Sequence, residues 1–125
     1  MDVTRYIEEN SERFDVVAVF GGDGTLNEAT NGLMKLKHKP VISYFPTGTM
    51  NDFGTNFGLT NDMKQCATVA CVGHVESFDV GKINSRYFNY AHRFVVLEKY
   101  FQHEPLKSLL LLHHPRSKLV FLGIQ

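Results

Sequence analysis

A short apolar segment that ends in a glycine-rich turn constrains the fold of this chain more than any other feature. The segment 16–20, VVAVF, carries no charge and is rich in β-branched residues, and it leads directly into Gly-Gly-Asp-Gly-Thr. Such a run is typical of a parallel strand that is buried on both faces. Because parallel strands need crossover connections, usually helices, the segment predicts an α/β fold.

The residues after this turn predict a helix that crosses to a second strand. Thr25 and Glu28 have the spacing of a capping box, so the helix is expected to begin at Thr25. Residues 41–45 form a second apolar segment and predict a second buried strand, which leads into residues 46–54, PTGTMNDFG. The positions that recur at helical spacing are Leu26, Ala29, Thr30, Leu33, Met34 and Lys37.

The next part of the chain predicts a further helix and a hairpin. Residues 62–72 are expected to form the helix, with Thr60 or Asn61 as its N-cap. The strands of the hairpin are expected at residues 78–83 and 87–90, separated by the polar residues Asn84, Ser85 and Arg86.

This order of elements brings both glycine-containing loops to one edge of the sheet. Strands joined by a crossover helix are parallel, so their carboxyl ends lie on the same side. Ligands of open α/β sheets bind there, where helix N-termini favour negative charge. The two loops therefore predict a phosphate-binding cleft. They fit neither a Walker A loop, which ends in Gly-Lys-Ser/Thr, nor the Rossmann fingerprint, because Asn27 occupies the third glycine position.

Charge and composition argue against several classes of function. The chain has 13 basic and 13 acidic residues, so it lacks the electrostatic signature of a nucleic-acid-binding protein. We find neither a signal peptide nor a membrane-spanning pattern, so a cytoplasmic protein is expected. Cys66 and Cys71 are expected to be buried small hydrophobes in a reducing compartment. The spacing of the six histidines fits no metal site.

Two motifs carry a resemblance to a known family. GGDGTLNE followed by PTGTMNDFG resembles the paired signature of the diacylglycerol kinase catalytic domain family, which includes bacterial lipid kinases and sphingosine kinases and is related to NAD kinases and phosphofructokinases. FDVGKINSRYFNYA, residues 78–91, is similar to the family's passage into its second domain. The resemblance implies a three-layer, Rossmann-like α/β nucleotide domain, here incomplete. Residues 1–77 would belong to that domain, 78–91 would begin a β-rich second domain, and 92–125 remain unassigned.

The resemblance also implies roles for the loop residues. Asp23 would accept the proton of the attacking hydroxyl or orient that hydroxyl, with Mg²⁺ nearby. ATP phosphates would lie against the glycine N–H groups and the threonine hydroxyls, and Glu28 would contact ribose or a substrate hydroxyl. The implied metal ligands are left open. The implied ATP-binding set is Gly21, Gly22, Gly24, Thr25, Glu28, Thr47, Gly48, Thr49, Asn51 and Asp52.

Structural explanations compete with these roles. Asp23 is also explained as an Asx-turn residue that satisfies its own loop. Glu28 is also explained as the capping-box partner of Thr25. Asp52 is also explained as the cap of a short helix at Phe53.

The function implied by the resemblance is ATP-dependent transfer of the γ-phosphoryl group to a lipid hydroxyl, as in diacylglycerol, by a protein peripheral to the membrane. Two alternatives stay open: a relative of NAD kinases, and a truncated nucleotide-binding module without catalysis. A bare edge of the sheet also predicts recruitment of a second copy, that is, a homodimer.

The two ends of the chain depart from the family pattern. Only residues 1–15 precede the first motif strand, so part of the sheet is expected to be missing. The resemblance stops after Ala91, and residues 92–125 are interpreted either as a frame-shifted reading of the gene or as a divergent C-terminus with a core helix at 106–112. Resequencing of the gene distinguishes the two.

Overall fold

The computed structural model of the protein describes residues 2–89 and 118–123. The predictions for Tyr90, for residues 92–117 and for the helix at 106–112 lie outside the described residues. In chain order the elements are α1 (Val3–Asn10), β1 (Val16–Gly21), α2 (Asp23–Leu33), β2 (Val41–Pro46), α3 (Asp52–Asn56), α4 (Met63–Val72), β3 (His74–Ile83), β4 (Arg86–Asn89) and β5 (Lys118–Gly123).

The described strands form a five-stranded sheet in the order β1-β2-β5-β3-β4. β1 and β2 are parallel, in a register that runs from Val16 opposite Val41 to Gly21 opposite Pro46. β5 pairs in parallel with β2 and antiparallel with β3, and β3 forms an antiparallel hairpin with β4. The predicted α/β fold with a small, incomplete parallel sheet is confirmed, and the two glycine loops follow strands that end side by side.

One face of α2 lies at the centre of the core. Leu26, Ala29 and Leu33 are fully buried and recur at helical spacing. They belong to the same buried cluster as Val19 of β1 and Ile42 of β2. Complete burial of a leucine side chain stabilises a fold by about 1.5–3 kcal/mol. This packing fixes α2 against the sheet and places its first turn directly after β1.

α1 approaches α2 closely at a glycine. A Cβ atom at Gly32 would lie 2.7 Å from the carbonyl oxygen of Thr4 and 2.8 Å from the Cβ of Ile7. The Thr4 hydroxyl also donates a hydrogen bond of 2.9 Å to the carbonyl oxygen of Glu28. Gly32 is therefore required by the close contact between the two helices.

The bounds of α2 differ from the prediction at both ends. The helix begins at Asp23, and its N-cap is Gly22, which has an extended backbone and no side-chain cap. The predicted capping box is wrong, because Thr25 already lies in the first turn. The helix ends at Leu33 rather than near Lys37, because tighter backbone hydrogen bonds replace the α-helical ones after that point.

The start of α4 also differs from the prediction. The N-cap is Asp62, whose carboxylate accepts a hydrogen bond of 2.8 Å from the N–H of Lys64. The sequence predicts Thr60 or Asn61 at this position. Thr60 instead accepts a hydrogen bond from the N–H of Asp62 and thereby supports the cap.

The hairpin is present with different bounds. β3 begins at His74, four residues earlier than predicted, because residues 74–79 pair with β5. Its turn contains two residues, since Ile83 pairs directly with Arg86, and Asn84 adopts the left-handed backbone that such turns need (φ 53°). β3 is continuous across the boundary between residues 77 and 78, where the division into two domains stays a prediction.

β1 is buried on one face only, contrary to the prediction. Its exposed positions are Val16, Ala18 and Phe20, and the Phe20 ring stacks on that of Phe45 at a centroid distance of 4.2 Å. The physical reason is position: β1 is an edge strand of the described sheet, whereas β2 lies inside it and is nearly covered.

The two cysteines differ in burial. Cys66 is buried as predicted, and burial raises the pKa of its thiol, while Cys71 is exposed, so the prediction for that residue is wrong. Both thiols are free. The difference follows from the geometry of α4, because residues five positions apart point in different directions around a helix.

Candidate functional site

The first glycine loop, residues 21–25, and the second, residues 46–54, contact each other at the carboxyl ends of β1 and β2. The N–H of Thr47 donates a hydrogen bond of 2.9 Å to the carbonyl oxygen of Gly21. A Cβ atom at Gly48 would lie 2.4 Å from the Cα of Gly22, closer than any side chain tolerates. Glycine at position 48 is therefore required for the backbones of the two loops to meet.

Asp23 connects the two loops through its side chain. Its Oδ2 accepts a hydrogen bond of 3.0 Å from the N–H of Asp52, and its Oδ1 accepts one of 3.1 Å from the N–H of Phe53. Both contacts are with the second loop, so the Asx-turn explanation does not describe them. A carboxylate keeps further lone pairs after accepting two such bonds, so Asp23 retains capacity to bind another donor.

Asn51 closes the second loop. Its backbone is left-handed (φ 52°), and its side chain is 4% exposed. The side-chain oxygen accepts a hydrogen bond of 2.9 Å from the N–H of Gly48, and the side-chain nitrogen donates to the carbonyl oxygen of Gly48 at 2.6 Å and to Oδ1 of Asn61 at 3.1 Å. The amide group of Asn51 thus shapes the loop from inside.

The remaining predicted site residues differ in exposure. Glu28 lies more than one turn along α2 from Asp23, and its carbonyl oxygen accepts the hydrogen bond from Thr4 of α1. Thr25 is half-buried, and its side chain covers Gly21, where an added Cβ would lie 2.5 Å from the Thr25 hydroxyl oxygen. Gly24 is exposed, and an added Cβ would meet no atom within 4 Å, so the protein leaves open space beside the first turn of α2. The exposed polar residues are Glu28, Thr47, Thr49 and Asp52.

Asp52 does not act as a cap, contrary to one interpretation of the sequence. It is the first residue of α3, and Asn51 occupies the N-cap position without a side-chain cap. The negative charge of Asp52 still lies in the first turn, where the helix dipole favours it.

Sequence reasoning missed Tyr44. This residue is 2% exposed, and its hydroxyl donates a hydrogen bond of 3.1 Å to the carbonyl oxygen of Gly21. Burial, and then the charge of Asp23, raise the pKa of the Tyr44 phenol well above its usual range, so the phenol stays protonated as a donor. The sequence signal is a tyrosine near the end of a strand expected to be buried, because a buried hydroxyl needs a partner.

The described residues provide neither a cluster of metal ligands nor a membrane-spanning helix. Within residues 2–89 and 118–123, no group of three His, Cys, Asp or Glu side chains is arranged to hold a metal ion. No helix in the same part of the chain is long and apolar enough to cross a membrane.

The chain is similar to known proteins over its N-terminal part. The family model "Diacylglycerol kinase catalytic domain" matches residues 1–83. A diacylglycerol kinase of Staphylococcus saprophyticus subsp. saprophyticus is 41% identical over 87 residues, which are 70% of this chain and 28% of that protein. A diacylglycerol kinase of Staphylococcus aureus strain JH9 is 43% identical over 77 residues, 62% of this chain and 24% of that protein.

A solved structure agrees with these sequence matches. The crystal structure of a diacylglycerol kinase from Bacillus anthracis str. Sterne superposes with a TM-score of 0.65 at 39% identity, over 70% of this chain and 30% of that chain. The chain thus spans less than a third of the length of the relatives that it matches. The matched motifs, the parallel strands that carry them and the paired glycine loops together show that the chain belongs to the diacylglycerol kinase catalytic domain family.

Proposed function

We propose that the chain forms the nucleotide-binding part of an ATP-dependent lipid kinase, which transfers the γ-phosphoryl group of ATP to a hydroxyl of a diacylglycerol-like lipid. The observation that carries this proposal is the direct contact of the two glycine loops at Gly22 and Gly48, where two parallel strands end. That edge is where open α/β sheets bind their ligands.

The polar groups at this edge suit the phosphates of ATP. The first turn of α2 has N–H groups without intrahelical partners, which favour an anion, and the open space beside Gly24 allows close approach. The hydroxyl groups of Thr25, Thr47 and Thr49 lie on the two loops and supply further donors. Gly21 mainly maintains the shape of the first loop, since its carbonyl oxygen already accepts hydrogen bonds from Thr47 and Tyr44.

Asp23 is the residue that we assign to the acceptor hydroxyl. Phosphoryl transfer needs positioning and stabilisation of charge more than strong base catalysis, so one well-placed carboxylate suffices to orient the hydroxyl and take its proton. The hydrogen bonds from the second loop hold this carboxylate in place. The neutral Tyr44 phenol lies behind it and adds no competing negative charge.

Mg²⁺ fits this chemistry as a partner of the nucleotide. Magnesium is commonly held by one or two carboxylates together with substrate phosphates. The carboxylates that we assign to it are Asp23, which bonds to the start of α3, and Asp52, the first residue of that helix. When bound, the ion would neutralise charge on the phosphates.

A nucleotide-binding module without catalysis is the second candidate. The observation that favours it is the coverage: the residues in common with the relatives amount to 28% of one of them and 24% of another.

Phosphate transfer from labelled ATP tests both candidates. The 125-residue chain is offered diacylglycerol, sphingosine-like bases and NAD in parallel, with Asp23→Asn as the control. Label in a lipid that disappears in the variant supports the lipid kinase. Label in NAD points to the related family. ATP binding by calorimetry without transfer to any acceptor supports the module, and absence of binding contradicts both.

We also propose a cytoplasmic protein that acts at the membrane surface and forms a homodimer through the edge of β1 that no other described strand covers. The support for the dimer is that this edge strand carries no charge and exposes Val16 and Phe20, which are 49% and 58% exposed. Light scattering at several protein concentrations tests the dimer, and vesicle sedimentation with diacylglycerol in the bilayer tests membrane association.

A further inference from the structure

The short helix α3 has no cap of its own. The residue at its N-cap position, Asn51, has a left-handed backbone (φ 52°, ψ 40°), and its side chain makes no capping hydrogen bond. The amide group is turned into the loop, where it binds Gly48 and Asn61. The first N–H groups of a helix have no intrahelical partner, so α3 depends on another part of the chain for this role.

Asp23 supplies the missing cap from the other glycine loop. It binds the N–H groups of Asp52 and Phe53, which lie 29 and 30 residues away in the chain. By contrast, the carboxylates of Asp2 and Asp62 cap α1 and α4, and each accepts a hydrogen bond from an N–H two or three residues ahead. A carboxylate that uses both oxygens on the start of a helix in another loop fixes the distance between the two loops.

We infer that Asp23 is a positioning residue for the second glycine loop, in addition to the chemical role proposed above. The carboxylate holds Asp52 and Phe53 against the first loop before any nucleotide binds. Replacement of Asp23 therefore disturbs the second loop as well as removing a carboxylate. In an activity assay the two effects are indistinguishable, so the positioning role needs a measurement without substrate.

Amide hydrogen exchange, resolved by NMR, provides that measurement on the whole chain. Asp23→Ala removes both acceptor atoms, and we expect the amides of Asp52 and Phe53 to exchange about tenfold faster, the factor for loss of a helix cap. Asp23→Asn keeps one acceptor, so we expect one of the two amides to stay protected. Asp62→Ala, the matched control, removes the cap of α4, so it should speed exchange near Lys64 and leave α3 unaffected.

The exchange experiment can overturn the inference. Unchanged exchange at Asp52 and Phe53 in both Asp23 variants would show that the second loop holds itself. A higher melting temperature for Asp23→Ala than for the wild type would also contradict the inference. It would show that the Asp23 carboxylate lowers the stability of the fold and serves the chemical step alone.

A binding measurement extends the test to the nucleotide, and this arm rests on the proposed function. Calorimetry with ATP and Mg²⁺ should give weaker binding for Asp23→Ala than for Asp23→Asn, with the wild type tightest. Equal affinities together with faster exchange would contradict a contribution of this positioning to nucleotide binding. If the wild type binds no nucleotide, the proposed function fails, while the exchange data still decide the role of Asp23.

Discussion

The two glycine loops of the site are held in place by different means. The first loop joins the end of β1 to the first turn of the 11-residue helix α2, so regular backbone hydrogen bonds and the buried face of α2 fix it. The second loop lies between β2 and the five-residue helix α3, and polar side chains fix it instead. The hydrogen bonds that hold it come from Asn51 inside the loop and from Asp23 in the first loop.

This difference makes the second loop dependent on the first. Hydrophobic packing of α2 places Asp23, and Asp23 in turn holds the start of α3. The dependence is useful at a phosphate site, because a loop that must approach a ligand closely cannot be filled with bulky apolar side chains. We expect substitutions in the second loop to separate these contributions.

The largest effect is expected at the contact between the loops. Gly48→Val would place side-chain atoms against the backbone of Gly22, where even a Cβ lies 2.4 Å from the Cα. We expect a loss of about 3 kcal/mol in the free energy of unfolding, measured by urea titration, as for overpacking against a rigid backbone.

Gly24→Ala is the matched control in the first loop. An added Cβ there meets no atom within 4 Å, and alanine in a helix is more stable than glycine, so stability should be unchanged or rise by up to about 1 kcal/mol. Equal losses for Gly48→Val and Gly24→Ala would refute the steric distinction between the two positions.

A smaller loss is expected from the polar side chains of the second loop. Asn51→Gly tolerates the left-handed backbone but removes the hydrogen bonds to Gly48 and Asn61, and it leaves the N–H of Gly48 without its partner. We expect a loss of about 2 kcal/mol. Asn61→Ala removes only one of these bonds at an exposed site, so about 0.5–1 kcal/mol is expected. The reverse order of the two losses would show that Asn51 does not organise the loop.

The difference between the two loops also explains which features of the fold are predicted correctly from the sequence. The apolar runs of β1 and β2 and the helical spacing of Leu26, Ala29 and Leu33 are local patterns, so the parallel strands and the crossover helix are correctly predicted. The position of both glycine loops at one edge follows from connectivity alone.

Contacts between distant residues escape the same patterns. The bonds from Asp23 to α3 span 29 and 30 residues, and no local motif marks them. Burial of β1 on one face depends on which strand lies beside it, which an apolar run does not reveal. The predicted start of α2 lies two residues too late, because Thr25 and Glu28 have the spacing of a capping box although both lie inside the helix.

Tyr44→Phe removes a buried hydroxyl, and the carbonyl oxygen of Gly21 then loses one donor. We expect the free energy of unfolding to fall by about 1 kcal/mol. The effect should depend on pH. The phenol has a raised pKa in the folded state, so its contribution is complete below the pKa of the unfolded chain, about 10, and declines at higher pH as the unfolded state loses its proton first.

Urea titrations at neutral and alkaline pH measure this dependence. The wild type should lose more stability than Tyr44→Phe between pH 9 and pH 11, where the pH values bracket the ordinary tyrosine pKa of about 10. A parallel decline of both proteins would show that the environment of Tyr44 does not favour its neutral form.

The smallest effect is expected on the outer face of β1, and it sharpens the account of how the first loop is held. If the buried face of β1 supports that loop, Val16→Lys on the exposed face should change the free energy of unfolding by no more than about 0.5 kcal/mol. Val17, on the opposite face, packs against the core, so Val17→Lys should lower the free energy of unfolding by about 1–3 kcal/mol.

The same pair of variants tests the proposed dimer, because a lysine on an exposed edge strand opposes strand pairing. Light scattering should therefore show less self-association for Val16→Lys than for the wild type. If Val16→Lys instead unfolds the chain, the outer face of β1 supports the first loop as much as the inner face does, and the contrast between the two loops is weaker than their contacts indicate.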